Sequence, residues 1–366
     1  MKAILVAGTR PNFMKVAPLI QAIGEYNASS TEKQIVPILV HTGQHYDYEM
    51  SRVFFEDLEL PEPDIYLGVG SGTHAEQTGK IMIEFEKVLF EEKPDLVVVV
   101  GDVNSTVAAA LAAVKLCIPV AHVEAGLRSY DRTMPEEINR VLTDHCSQLL
   151  FCPTETAVGN LKNEGISDGV YLTGDVMVDA LLSVKKASEK SDIVGRFGLE
   201  SKQYLVTTIH RPSNTDDRVN LKNILDALSE SGERVIFPVH PRTKRAIIEC
   251  GINMRGETIK PIEPLGYIEF LKLMSHARKI VTDSGGIQKE AYILKVPCIT
   301  LRERTEWIET VEDNWNILVG ADKEKITEAI RVFEPASEQR DIFGNGRAAT
   351  SICQIISQQA WGKEKA

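Results

Sequence analysis

The chain has 366 residues, 43% hydrophobic and 25% charged, with 41 basic residues against 52 acidic ones and a net charge of −11. At about 150 residues per domain the length predicts two domains, each able to bury its own core, and the composition excludes disorder and fibrous repeats. The acidic balance excludes a nucleic-acid-binding or anionic-membrane protein, whose footprint is basic, so an anionic ligand has to be met by a local cluster of cations.

The longest apolar run, Val107 to Val114, has eight residues, under half of the roughly 20 that cross a membrane. The opening apolar stretch ends at Gly8-Thr9-Arg10, too early for a secretory signal. A soluble, cytoplasmic protein is expected. Its six cysteines form no Cys-x-x-Cys pair and are expected to be buried thiols in a reducing compartment.

Short β-branched runs alternate with helix-length segments along the chain. The first half predicts strands at Ala3–Ala7, Ile35–His41, Leu96–Gly101, Pro119–Glu124, Gln148–Cys152 and Val170–Leu172. The second predicts them at Tyr204–Ile209, Val235–His240, Thr258–Ile262, Lys279–Asp283, Val296–Leu301 and Asn316–Val319. Runs such as Leu96–Val100 are apolar without alternation, as in parallel strands covered on both faces. The fold class expected is α/β, built from two Rossmann-like doubly wound parallel-sheet domains facing a cleft. The first domain is expected to span 1–173 with the terminal helical segment 346–366 packing back on it, and the second 174–345. Ligands of such sheets bind outside the carboxyl ends of the strands.

No Gly-x-Gly-x-x-Gly follows the first strand and no P-loop occurs, so dinucleotide and P-loop readings lose their support. Arg10 and Lys15 flank the start of the first helix, where they can grip phosphate. Asp102 ends the most apolar strand, where a carboxylate has no packing purpose. Glu124 ends the strand Pro119–Glu124 and reads as a catalytic or substrate-binding carboxylate. His122, two residues before it, has the His-x-Glu spacing of zinc deaminases, but their Pro-Cys-x-x-Cys partner is missing. Thr133 and Glu136 have capping-box spacing, and Glu136 can pair with Arg140 four residues on, so taken alone Glu136 reads as a helix cap. His210, after the first strand of the second half, can serve as a cation or proton donor beside a phosphate. Asp283-Ser284-Gly285-Gly286 passes from a strand into a helix, with Glu290 one turn later. Two readings stay open there, a diphosphate cradle at a helix N-terminus or a plain tight turn. His41, His45, His74, His145 and His276 have no metal-ligand spacing and read as core or surface residues.

In family order, Gly8-Thr9-Arg10-Pro11 with Lys15, Gly101-Asp102, His122–Arg128, Pro135–Arg140, His210-Arg211 and Asp283–Ala291 resemble the non-hydrolysing UDP-N-acetylglucosamine 2-epimerases. The resemblance implies a glycosyltransferase-B-like fold, a homodimer, a UDP-sugar substrate and no metal or other cofactor. It also implies reversible conversion of UDP-GlcNAc to UDP-ManNAc, by anti elimination of UDP to a 2-acetamidoglucal and re-addition. Carried over by position, Asp102, Glu124 and Glu136 look like the carboxylates that move the proton or stabilise positive charge, and His210 like the group that helps UDP leave. Arg10, Lys15, His210, Ser284, Gly285 and Gly286 match diphosphate contacts, Glu290 the ribose contact and Phe270 a ring on uracil. Gln44, Arg211 and His240 match part of a second, activating substrate site, whose arginine is replaced within Gly68–His74.

His210-Arg211-Pro212-Ser213-Asn214 and Thr305-Glu306-Trp307-Ile308-Glu309 depart from the commoner bacterial patterns. They look like the branch acting on UDP-2,3-diacetamido-glucuronic acid, whose C6 carboxylate Arg302 and Arg304 could hold. A hydrolysing epimerase releasing ManNAc, a glycosyltransferase of the same fold and a non-catalytic UDP-sugar sensor are the other readings. A glycosyltransferase predicts transfer to an acceptor and a sensor predicts binding without turnover, and neither has a use for three carboxylates beside a sugar.

Overall fold

The computed structural model describes residues 1–30, 33–44, 60–252, 258–336 and 338–359. The chain forms two compact units, Met1–Ser183 with Asp341–Ala366, and Val184–Arg340. The division falls inside the helix Val176–Glu189 and again at Asp341, where the sequence placed it at 173/174 and 345/346. A continuous helix carries no turn signal at the point where one unit gives way to the next.

The first unit holds β1 (Lys2–Ala7), β2 (Val36–His41), β3 (Ile65–Tyr66), β4 (Leu96–Val100), β5 (Val120–Val123), β6 (Leu149–Cys152) and β7 (Val170–Leu172). They form one parallel sheet in the order β3-β2-β1-β4-β5-β6-β7. Among the described residues, β3 is the one strand the sequence did not announce, since two residues at an edge are too few to show a pattern. Ile4, Val6, Val97 and Val99 pack with Phe85 and Leu89 of the helix His74–Glu92 and with Ala109, Ala110 and Ala113 of the helix Asn104–Lys115. The helix Ala348–Gln358 packs against the helix Arg10–Ser29.

The second unit holds β8 (Leu205–Thr208), β9 (Val235–Pro238), β10 (Ile259–Ile262), β11 (Lys279–Thr282), β12 (Cys298–Thr300) and β13 (Asn316–Leu318), parallel in the order β10-β9-β8-β11-β12-β13. In each sheet the strand order reverses beside the first strand, between β1 and β4 and between β8 and β11. Such a reversal opens a crevice at the strands' carboxyl ends, because the connections on either side run to opposite faces. Gly8–Arg10 and Gly101-Asp102 flank the reversal in the first unit, and His210-Arg211 and Asp283-Ser284 flank it in the second.

The cysteines depart from expectation. Cys152, Cys298 and Cys353 are buried, but Cys117 is exposed and Cys146 and Cys250 are intermediate, all six being free thiols. Among the described residues, no helix is long and apolar enough to cross a membrane.

Candidate functional site

In the first unit the loop after β1 is tied down by Asn12. Its Oδ1 accepts from the backbone N–H groups of Gly8 and Thr9 and from the Thr9 hydroxyl, each at 3.1 Å, while its Nδ2 donates to the Val100 carbonyl at 3.0 Å. The β1 and β4 ends are thereby held together. Arg10 opens the helix Arg10–Ser29, and its side chain lies outside the described residues. Lys15, one turn on, is buried and forms an ion pair with Glu124 Oε2, so the cation read as a phosphate contact is engaged by a carboxylate here. A Cβ on Gly101 would stand 2.7 Å from Lys15 Nζ and 3.4 Å from Glu124 Oε2. A side chain there would push the Lys15 ammonium aside, and the φ of +65° at Gly101 itself favours glycine.

Glu124 follows β5 with φ +74°, a left-handed conformation that costs a non-glycine residue about 1–2 kcal/mol and is kept where the surroundings over-determine it. Asp102 follows β4 and accepts from Arg140 Nη2 at 2.5 Å through its carboxylate and from Asn139 Nδ2 at 2.9 Å through its carbonyl. Arg140 also pairs with Glu137 at 2.9 Å. Glu137 in turn accepts from the Ser129 N–H and hydroxyl and from the Tyr130 N–H.

The helix Pro135–Cys146 supplies this support, and it corrects two expectations. Its N-cap position is Met134, with no side-chain cap, because the Thr133 hydroxyl donates to Asp131 Oδ1 at 2.6 Å instead. Arg140 pairs with Glu137 and Asp102, not with Glu136. Glu136 is therefore half-buried at the first turn without serving as a cap.

Gln44 is buried. Its Oε1 accepts from the Ser105 N–H at 3.0 Å and the Ser105 hydroxyl at 2.6 Å, and its carbonyl accepts from Gln77 Nε2 at 3.1 Å. It braces the start of the helix Asn104–Lys115 beside Asn104, which faces the exposed His74. His122 is fully buried between Asp144 Oδ1 at 2.6 Å and the Gly101 carbonyl at 2.8 Å. Burial alone would raise the Asp144 carboxyl, but His122 and Arg128 outweigh it and hold it below the usual carboxylate range.

In the second unit Asp283 is the organising carboxylate. It accepts from the His210 N–H at 3.0 Å, the Arg211 N–H at 3.0 Å and Asn214 Nδ2 at 3.1 Å, and His210 Nδ1 lies 3.6 Å from it. The imidazole of His210 keeps 38% of its surface exposed and lies 5.9 Å, centroid to centroid, from the ring of His240. His240 caps the helix Pro241–Glu249, its Nδ1 accepting from the Arg242 N–H at 3.2 Å. Arg211 is half-buried at the N-cap of the turn Pro212–Thr215.

Ser284 caps the helix Gly285–Ile293 through the Ile287 N–H at 3.5 Å, and Gly286 is exposed in its first turn. Glu290, on the same helix, accepts from the Tyr267 hydroxyl at 3.3 Å. That contact brings the helix Tyr267–His276, with the half-buried Phe270, alongside. Arg302 is buried and paired with Glu306 at 2.9 Å, and Arg304 is exposed.

Sequence reasoning therefore reached the residues at the strand ends but not the partners that hold them: it passed over Asn12 and Asp144, gave Arg140 to Glu136, weighed His122 against a zinc motif and took Asp283 as part of a turn. One signal was available. Glu137, Arg140 and Asp144 recur at helical spacing on the buried face of their helix, where apolar residues are expected. Among the described residues no cluster of His, Cys, Asp and Glu has the make-up of a metal site, and His45 lies outside them.

A profile of the UDP-N-acetylglucosamine 2-epimerase family matches residues 27–357. The chain is 51% identical to a UDP-N-acetylglucosamine 2-epimerase homolog of Methanococcus maripaludis, over 97% of this chain and 99% of that one. It is 42% identical to a UDP-2,3-diacetamido-2,3-dideoxy-D-glucuronate 2-epimerase of Pseudomonas aeruginosa, over 98% of this chain and the whole of the other. The crystal structure of the Methanocaldococcus jannaschii UDP-GlcNAc 2-epimerase, in complex with UDP-GlcNAc and UDP, matches with a TM-score of 0.90 at 47% identity, covering 98% of this chain and 100% of that one.

Proposed function

The chain belongs to the UDP-N-acetylglucosamine 2-epimerase family, with its glycosyltransferase-B-like pair of parallel-sheet units, and on that footing we propose that it interconverts UDP-GlcNAc and UDP-ManNAc. It is an isomerase whose task is to invert C2 of the sugar. The C2 proton is not α to a carbonyl, so direct abstraction is very costly. Breaking the C1–O bond to UDP first, or in concert, builds positive charge on the ring and acidifies C2–H. A carboxylate takes that proton, the C2–H electron pair becomes the C1=C2 bond of a 2-acetamidoglucal, and UDP departs with the C1–O pair. A phosphate oxygen then adds back at C1 while C2 receives a proton on the opposite face.

The observation that carries this reading is a pair of carboxylate–cation couples at the ends of the neighbouring strands β4 and β5, Asp102 on Arg140 and Glu124 on Lys15. With Glu136, they are the groups to move the proton and stabilise the oxocarbenium-like ring. The departing diphosphate falls to Arg10, to His210 on Asp283 and to the N–H groups of the helix start at Ser284–Gly286. Glu290 is assigned the ribose and Phe270 the uracil. The homodimer implied by the resemblance belongs to the same reading.

The uronic-acid alternative needs a cation for the sugar's C6 carboxylate; Arg302 is engaged by Glu306, while Arg304 is exposed. Proton NMR of the protein with UDP-GlcNAc in deuterated water, without added metal, tests the choice. The expected outcome is a second anomeric doublet with deuterium at C2. Absence of both UDP-ManNAc and deuterium, with turnover of UDP-2,3-diacetamido-glucuronic acid in a parallel sample, would move the substrate to the uronic acid. Free ManNAc would place the protein with the hydrolysing enzymes.

A further inference from the structure

We propose that His122 and Asp144 form a positioning pair that sets the Asp102 and Glu124 loops in register with one another, a role that rests on the catalytic reading of those carboxylates. Neither residue is placed to meet a substrate, since His122 is 0% exposed and Asp144 1%. What they touch is the backbone of both loops. His122 Nε2 donates to the carbonyl of Gly101, the residue immediately before Asp102, at 2.8 Å. Asp144 Oδ2 accepts from the N–H of Gly126, two residues after Glu124, at 3.1 Å. The imidazole and the carboxylate are joined to one another at 2.6 Å, which closes a buried bridge from one loop to the other.

Each ring nitrogen of His122 has its own partner, the Asp144 carboxylate at Nδ1 and the Gly101 carbonyl at Nε2. The partner carboxylate is also held by Arg128 Nη1 at 2.7 Å, and Arg128 extends to Glu164 at 2.6 Å. Around this bridge the backbone leaves ordinary strand geometry three times, with φ +65° at Gly101, +74° at Glu124 and +79° at Gly126. Glycine adopts such values freely, whereas Glu124 has to be held. Its own N–H and that of Ala125 both donate to the Phe151 carbonyl at 3.1 Å, and the Asp144 bond to Gly126 fixes the next residue but one. Asp144 belongs to the helix that also bears Arg140, so a single rigid element aligns Asp102 from the side chain and Glu124 from the backbone.

Side-chain reach gives a test that separates positioning from space filling. Glutamine extends its amide about as far as Nε2 of histidine, asparagine only as far as Nδ1. His122→Gln can therefore keep the bond to Gly101 and loses the one to Asp144, whereas His122→Asn keeps the bond to Asp144 and loses the one to Gly101, so each opens the bridge at one end. We expect kcat to fall roughly 100-fold in both, the scale of an ångström-sized misplacement of a reacting group. KM for UDP-GlcNAc and the Kd for UDP should stay within about threefold in both. Asp144→Asn, which puts an amide N–H among the donors around that carboxylate, serves as a third variant and should show the same split between kcat and UDP affinity. A kcat within about threefold of the parent in either His122 variant, or losses in kcat that track losses in UDP affinity and melting temperature, would overturn the role. Asp102→Asn is the control on the underlying reading. Wild-type kcat there would overturn the carboxylate chemistry itself, whatever the His122 series shows.

Discussion

A Cβ on Gly285 would stand 2.1 Å from Glu306 Oε1, and Glu306 cannot easily give way because it is buried and paired with Arg302 at 2.9 Å. This makes Gly285 a residue chosen for space at the start of the proposed diphosphate helix, not for a left-handed turn. Gly285→Ala should displace either that helix start or the ion pair behind it, at about 1–3 kcal/mol of overpacking. The expected result is UDP binding weakened roughly tenfold by calorimetry, with the first unit's carboxylates untouched. An unchanged Kd would mean that the helix start does not carry the diphosphate. Lys15 makes the complementary point. The same buried lysine that the sequence offers as a phosphate cation is paired with Glu124, and in the proposed mechanism it would act through that carboxylate.

At the scale of elements, His41 shows how β2 is anchored. Its ring lies edge-on between Phe13 of the helix Arg10–Ser29 and Tyr66 of β3, with centroids 4.9 and 5.0 Å away. Its Nδ1 accepts from the Gly43 N–H at 2.8 Å. Burial pushes its pKa down to about 4 from 6.5, so the folded ring stays neutral where an unfolded one takes up a proton. This contribution is fully present above pH 6.5 and is lost as the pH falls towards 4, by about 3 kcal/mol at most. Denaturant unfolding across that window should show the decline, and His41→Asn, which keeps the acceptor near the Gly43 N–H, should flatten it. A slope unchanged by the substitution would assign the acid sensitivity elsewhere.

The helix Pro135–Cys146 leads from elements to the whole molecule, because it is amphipathic in reverse. Glu137, Arg140 and Asp144 point inward, while Ile138 is 40% and Leu142 45% exposed. With Tyr130 and Val141 they line a groove of about 400 Å³ bordered by Arg128, Arg132, Glu137 and Glu164. An apolar stripe rimmed by both signs of charge can be matched by its own copy across a two-fold axis, which suits the homodimer in the proposed function. The double substitution Ile138→Glu with Leu142→Glu should convert dimer to monomer in sedimentation velocity, leaving the folded first unit intact. A dimer that survives it would place the interface on another face.

By itself the sequence determined the class of fold and the strand-end loops to which the proposed chemistry is assigned. Unbroken apolar runs such as Leu96–Val100, recurring between helix-length segments, fit parallel strands covered on both faces, and Asp102, Glu124, His210 and Ser284 sit at strand ends whose position follows from where those runs stop. Those are local properties, set by neighbours in the chain. The partners of these residues were decided by the tertiary structure. Lys15 meets Glu124 across 109 positions and Asp102 meets Arg140 across 38, while His122 reaches Gly101 and Asp144 through strand order and helix packing. Such pairings depend on which strands lie side by side and on backbone angles such as the φ of +74° at Glu124. No spacing in the sequence encodes them, because a charged side chain reads the same whether it faces solvent, substrate or another buried charge.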